Sequence, residues 1–219
     1  MKKTFFAIEF AIVALFLLLP PVIFSSGSQN VKITLTPFAF FSLAAGLFLY
    51  FFNRKPFYSS DSSDSSDSSS KNINSIKKIS VLTVSFGLLI LTSVVFVALQ
   101  EFVLKQNSPE PLVPENAVEW SMALTALAFG AVYEEALYRF FVPQFFLFYF
   151  EGKARFFFEA VSVLLFALAH IYLGTAGFLN ALICGIILRV TYKKTEDLGA
   201  NCLIHFLYNS LLLTSAAVF

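Results

Sequence analysis

The sequence predicts an all-α fold, a polytopic transmembrane bundle of about seven helices. Three observations carry that reading. Apolar residues make up 58% of the 219 positions and charged residues only 13%, against roughly 25% charged in soluble domains. The apolar residues gather in runs long enough to cross a bilayer, which takes about 20 residues per helix. The cations are placed unevenly about those runs, in the sense of the positive-inside rule.

The runs cover approximately residues 4–26, 31–53, 79–104, 119–149, 155–174, 175–192 and 198–219. In the first, Lys2 and Lys3 precede the apolar stretch and Ser25, Ser26, Gly27 and Ser28 follow it, as in a signal peptide. Its apolar region is longer than the about 7–15 residues usual there, which favours a retained helix. After the second run comes SSDSSDSSDSSS at residues 59–70. It has nothing apolar to bury, so residues 54–78 read as a disordered cytoplasmic linker. Pro143 interrupts the fourth run, which is either one kinked helix or a span followed by a half-helix that would count as an eighth. The chain therefore divides into two N-terminal helices over 1–53, the linker over 54–78, and a compact bundle over 79–219.

With the N-terminus in the cytoplasm, the inner segments hold Lys2, Lys3, Arg54, Lys55, Lys71, Lys77, Lys78, Lys153, Arg155, Arg189, Lys193 and Lys194, while Lys32 and Lys105 lie outside. Twelve cations against two point to a multi-pass protein of the cell (plasma) membrane with a cytoplasmic N-terminus. The outer loop 106–118 is acidic and Pro-rich, in agreement. A net charge of +1 without a basic cluster gives no footprint for nucleic acid. The two cysteines, Cys184 and Cys202, both sit in apolar stretches. They form neither a disulfide framework nor a zinc pattern and read as packing residues.

An ionised group near the bilayer centre costs about 2.5–3.5 kcal/mol on insertion scales. Three such groups stand together in AVYEEALYRFF: Glu134, Glu135 and Arg139. Glu135 and Arg139 are spaced i,i+4, so they share a helix face and pair. Glu134 is rotated about 100° from Glu135 and has no cation at that spacing. A structural ion pair needs one carboxylate, so the second suits a general base in a wet cavity. The chain's two histidines, His170 and His205, also fall in apolar runs. Ser162, Phe166 and His170 form one helical stripe, and His205 and Asn209 are i,i+4 on another. Polar residues of this kind also hydrogen-bond between transmembrane helices as plain glue. A base, an orienting pair and neutral donors together are nonetheless the set that activates water and holds an oxyanion. Glu9, Glu159 and Asn180 stand apart and read as snorkelling or packing residues.

EEALYR (Glu134 to Arg139), SVLLFALAH (Ser162 to His170) and HFLYN (His205 to Asn209) resemble, in that order, the three motifs of the CAAX-processing and bacteriocin-immunity (Abi) family of intramembrane peptidases. The resemblance implies a helical endopeptidase similar to those that remove the last three residues of prenylated CAAX proteins. Its substrate would be a membrane-associated peptide or a lipidated protein. By that likeness Glu134 is the base for water, His170 assists, His205 and Asn209 form the oxyanion site, and Glu135 and Arg139 organise the first motif. No cofactor is expected. A divalent metal would have to recruit Glu134, His170 and His205, and without HExxH or a third His or Cys the ligand supply is thin.

Simple in-and-out spans put His170 near the outer end of its helix and His205 near the inner end of its own, so the two meet only if helices tilt or kink. Two other readings compete: a non-catalytic scaffold or immunity protein of the same fold, and a proton-coupled transporter, for which the chain lacks internal symmetry.

Overall fold

A computed structural model describes Ile8 and residues 37–53, 68–99, 101, 113–150 and 155–218. The expected first span, and with it the choice between leader and retained helix, lies outside the described residues, as do linker residues 54–67. The described residues are helical apart from short connections, with no strand among them. In order come α1 (Pro37–Asn53), α2 (Ser68–Leu99), α3 (Ala117–Glu134), a π-helical segment (Glu135–Phe141), α4 (Val142–Phe150), α5 (Arg155–Leu168), a 3₁₀ turn (Ile171–Leu173), α6 (Gly174–Thr195) and α7 (Leu198–Val218). Helix is the form that satisfies every backbone polar group within its own segment, as an apolar solvent demands. The segment 68–78, placed in the linker from sequence, is the first part of α2.

Among the described residues, three helices are long and apolar enough to cross a membrane: Ser75–Leu99, Ile171–Thr195 and Leu198–Val218. Their outward faces are apolar, with Val84, Leu91, Val94, Val97 and Leu203 all exposed, as lipid contact requires. The expected count of seven is not reached by this criterion, because Ala39–Phe51 and Phe156–Leu168 are shorter apolar helices. The 14 residues of α5 rise only about 21 Å at about 1.5 Å per residue, less than the about 30 Å of a hydrocarbon core. His170 lies just past the end of α5.

Local chemistry sets the helix ends that matter. Asn116 caps α3, its side-chain oxygen accepting from the backbone of Val118 and Glu119 at 3.1 and 3.0 Å, a normal use of Asn at this position. Gly174 turns the chain from the 3₁₀ segment into α6 at φ 80, open to glycine without a Cβ clash. Glu196 ends α6 in the left-handed region, and Asp197 then caps α7 through the Ala200 amide at 3.0 Å. That short connection fixes the phase of α7 and so the direction in which Asn201 and His205 point.

The π-helical segment lies at the centre of the bundle. All seven of its residues, Glu135 to Phe141, are buried. Leu137, Tyr138 and Phe141 form a core with Leu49 from α1, Phe166 and Ala167 from α5, and Ala181 from α6. A second core joins Leu89 of α2, Cys184 and Leu188 of α6, and Ile204 and Tyr208 of α7. Lipid tails are as apolar as these side chains, so close packing and internal hydrogen bonds hold such a bundle together. Ser93 with Tyr208, and Thr191 with Ser85 at 2.6 Å, supply such bonds between α2 and the α6–α7 pair.

Candidate active site

Each polar side chain of the site hangs from the π-helical segment or faces it. Glu135 is wholly buried. Its Oε1 accepts from His205 Nδ1 at 2.8 Å, and its Oε2 accepts from Asn201 Nδ2. Arg139 Nε lies 3.4 Å from the same Oε2, so the i,i+4 pair read from the sequence is present as an ion pair. None of the guanidinium nitrogens makes a hydrogen bond among the described residues. The Arg139 guanidinium instead stacks over the Phe166 ring, 4.3 Å from its centroid, an arrangement that stabilises a desolvated cation.

Glu134 takes a different direction. Its carboxylate is partly exposed, and Oε2 stands 3.7 Å from His205 Nε2 without a hydrogen-bond partner among the described residues. One imidazole thus faces both glutamates, with Nδ1 on Glu135 and Nε2 toward Glu134. A carboxylate only accepts, so the hydrogen on Nδ1 belongs to His205. Nε2 is then an acceptor in the neutral ring and a second donor when the ring carries a further proton.

His170 approaches from the end of α5. Its Nδ1 donates to the carbonyl of Phe166 at 2.8 Å, which leaves Nε2 as the free acceptor. The His170 and His205 rings both pack against the Phe166 ring, at 4.7 and 6.0 Å between centroids. The two histidines, expected at different ends of simple spans, thus share one aromatic partner. Ser162, one turn below Phe166 on the same stripe, donates to the carbonyl of Tyr138. Asn209 is half-buried one turn beyond His205, and its side chain makes no hydrogen bond with a described residue.

Two residues read as packing or left aside at the sequence level belong to this region. Asn201 holds Glu135 and also donates to the Leu188 carbonyl at 3.2 Å. Its i,i+4 spacing to His205 is the signal that singled out Asn209, and it would have found Asn201 too. Glu159 is no snorkelling residue. It sits 3.5 Å from Arg189 and 2.8 Å from Lys193, and Arg189 in turn is buried and donates to the Arg139 carbonyl. Asn180 donates to the Tyr208 hydroxyl at 3.2 Å, an interhelical contact of the expected kind. Among the described residues no group of three or more His, Cys, Asp or Glu side chains is spaced to hold a metal ion. Glu134, His170 and His205 do not form a ligand set in this arrangement.

Fold and site together define a helical membrane protein that buries a glutamate–histidine cluster at the heart of its bundle. Residues 116–211 match the family model described as "Rce1-like: Type II CAAX prenyl endopeptidase Rce1-like". That segment holds every residue of the cluster, and its similarity to this endopeptidase family agrees with the three motifs. No curated protein and no solved structure matches the chain.

Proposed function

We propose that the protein is an intramembrane endopeptidase that hydrolyses a membrane-associated peptide or a lipidated, CAAX-like protein without a metal, in a cell membrane with its N-terminus in the cytoplasm. The observation that carries the proposal is the placement of Glu134 and Glu135 on opposite nitrogens of His205. A scaffold gains nothing from a second intramembrane carboxylate with no cation of its own. A hydrolase uses it.

In this reading water lies between Glu134 and the scissile carbonyl. Glu134 takes its proton as the C–O bond forms, and the free Nε2 of His170 accepts the other water hydrogen and orients the attack. The carbonyl electrons move onto oxygen, where Asn209 Nδ2–H donates on the side that His205 lines. Glu135 keeps His205 in its orientation, while Arg139 and Asn201 hold Glu135. Collapse breaks the C–N bond, and Glu134 passes its proton to the leaving amine.

The test is reconstitution in liposomes with a prenylated peptide ending in a CAAX sequence, and a second peptide bearing a single apolar membrane anchor. Mass spectrometry should find the C-terminal tripeptide released from the first. Cleavage of the anchored peptide alone would move the substrate class from lipidated proteins to membrane peptides. If neither peptide is cut by folded protein, the scaffold reading takes its place.

A further inference from the structure

The π-helical segment leaves two main-chain carbonyls without backbone partners, and both are met by side chains from other helices. Within the segment, Val142 N–H donates five residues back to Leu137 O. In the α-helix that follows, residue 143 would donate four residues back, to Arg139 O. The change of register therefore skips the carbonyl of Tyr138, as a π-bulge must. Residue 143 is proline, which has no N–H, so the carbonyl of Arg139 is bare as well. Ser162 Oγ of α5 donates to the first and Arg189 Nη1 of α6 to the second. Both side chains are buried.

An unpaired buried carbonyl is costly in an apolar solvent, so these donors decide whether the π register holds. That register carries Glu135 and Arg139, and through Glu135 the orientation of His205. We infer that Arg189 is a positioning residue: by capping the carbonyl that Pro143 leaves bare, it fixes the main chain on which the Glu134–Glu135–His205 geometry depends. Glu159 serves to hold its guanidinium in place, with Nη2 3.5 Å from Oε1, and Lys193 shares that carboxylate. Ser162 does the same for the skipped carbonyl. The catalytic consequence rests on the peptidase reading above, whereas the capping does not.

Pro143→Ala returns the missing N–H, and this makes the inference testable apart from any loss of charge. Four variants are compared with the wild type: Arg189→Met, Pro143→Ala, the double variant of these two, and Arg189→Met with Glu159→Gln. Turnover of the cleaved peptide, thermal melting in detergent and hydrogen exchange at residues 140–146 are read on each. Arg189→Met should lower kcat by about tenfold to a hundredfold with KM little changed, as small misplacements of catalytic groups do, and speed exchange in that segment. Pro143→Ala alone should resemble the wild type. Adding it to Arg189→Met should restore most of the turnover and the protection, because its N–H now serves the Arg139 carbonyl. Adding Glu159→Gln should not, since it repairs the charge balance only. If the Pro143→Ala double variant stays as impaired as Arg189→Met, or if Glu159→Gln rescues instead, Arg189 acts through charge and the inference is wrong. Should Arg189→Met fail to fold, recovery of the melting transition by Pro143→Ala, and not by Glu159→Gln, supports the same conclusion. Wild-type protein without any turnover would overturn the function proposed, and the exchange data would still decide the capping.

Discussion

At the scale of single residues, the two adjacent glutamates differ by what surrounds them. Glu135 is wholly buried between Arg139, Asn201 and His205. Glu135→Gln leaves a buried guanidinium without its counter-ion, a loss of about 3–5 kcal/mol for one side of such a pair. A melt in detergent should therefore fall steeply, together with activity. Asn201→Leu removes one donor from the same carboxylate and should cost about 1–3 kcal/mol. It should also reduce turnover, because Glu135 is then free to rotate away from His205. A melt and a rate equal to wild type would show that Asn201 holds nothing. The Glu135–Arg139 pair was legible in the sequence because i,i+4 spacing puts two charges on one helix face and the bilayer makes their pairing obligatory. Asn201 carries the same i,i+4 signal to His205 as Asn209, but spacing alone does not tell which of the two holds a carboxylate. Its partner also lies on another helix, which spacing along the chain cannot show.

At the scale of elements, the sequence placed the helices well and the irregularities poorly. Pro143 signalled a break in the long run 119–149, yet the break is a π register over Glu135–Phe141 and not a separate half-helix. A register shift of one residue leaves no periodicity to detect, because the apolar residues around it are buried on every side. The expected span 155–174 ends early in α5 and a 3₁₀ turn, where His170 and Gly174 interrupt the helix. The packing of α1 on α3 depends on Gly46, where an added Cβ would stand 2.8 Å from Tyr133 Cα. Gly46→Ala must part the two helices at the residue next to Glu134. Overpacking of this kind costs about 1–3 kcal/mol, so lower melting and impaired turnover are expected from the variant. Unchanged values would mean that α1 can shift without disturbing the site. The Ser/Asp tract carries no such constraint. Deleting residues 59–67, which end where α2 begins at Ser68, should leave turnover intact. Lost activity in a folded deletion variant would give the linker a role.

At the scale of the whole molecule, composition and charge placement told the solvent before any motif was read. Twelve cations fall on one side of the proposed topology and two on the other, so single cysteines at positions 3 and 194 should be labelled from the cytoplasmic side and one at position 105 from outside. Labelling of position 3 and position 105 from the same side would refute that topology. The three motifs came from the sequence, but their convergence did not. It depends on Phe166, against which His170 and His205 both pack, and on the junction of α3 with the π segment, which sets Glu134 and Glu135 toward one imidazole. That shared imidazole is the central claim, and Glu134→Gln tests it most directly. The substitution keeps the shape of the side chain and removes a base with no cation partner. Melting in detergent should be unchanged or slightly higher, while peptide turnover in liposomes falls by about 10²–10⁴. Near-normal turnover by the folded Glu134→Gln variant would contradict the account.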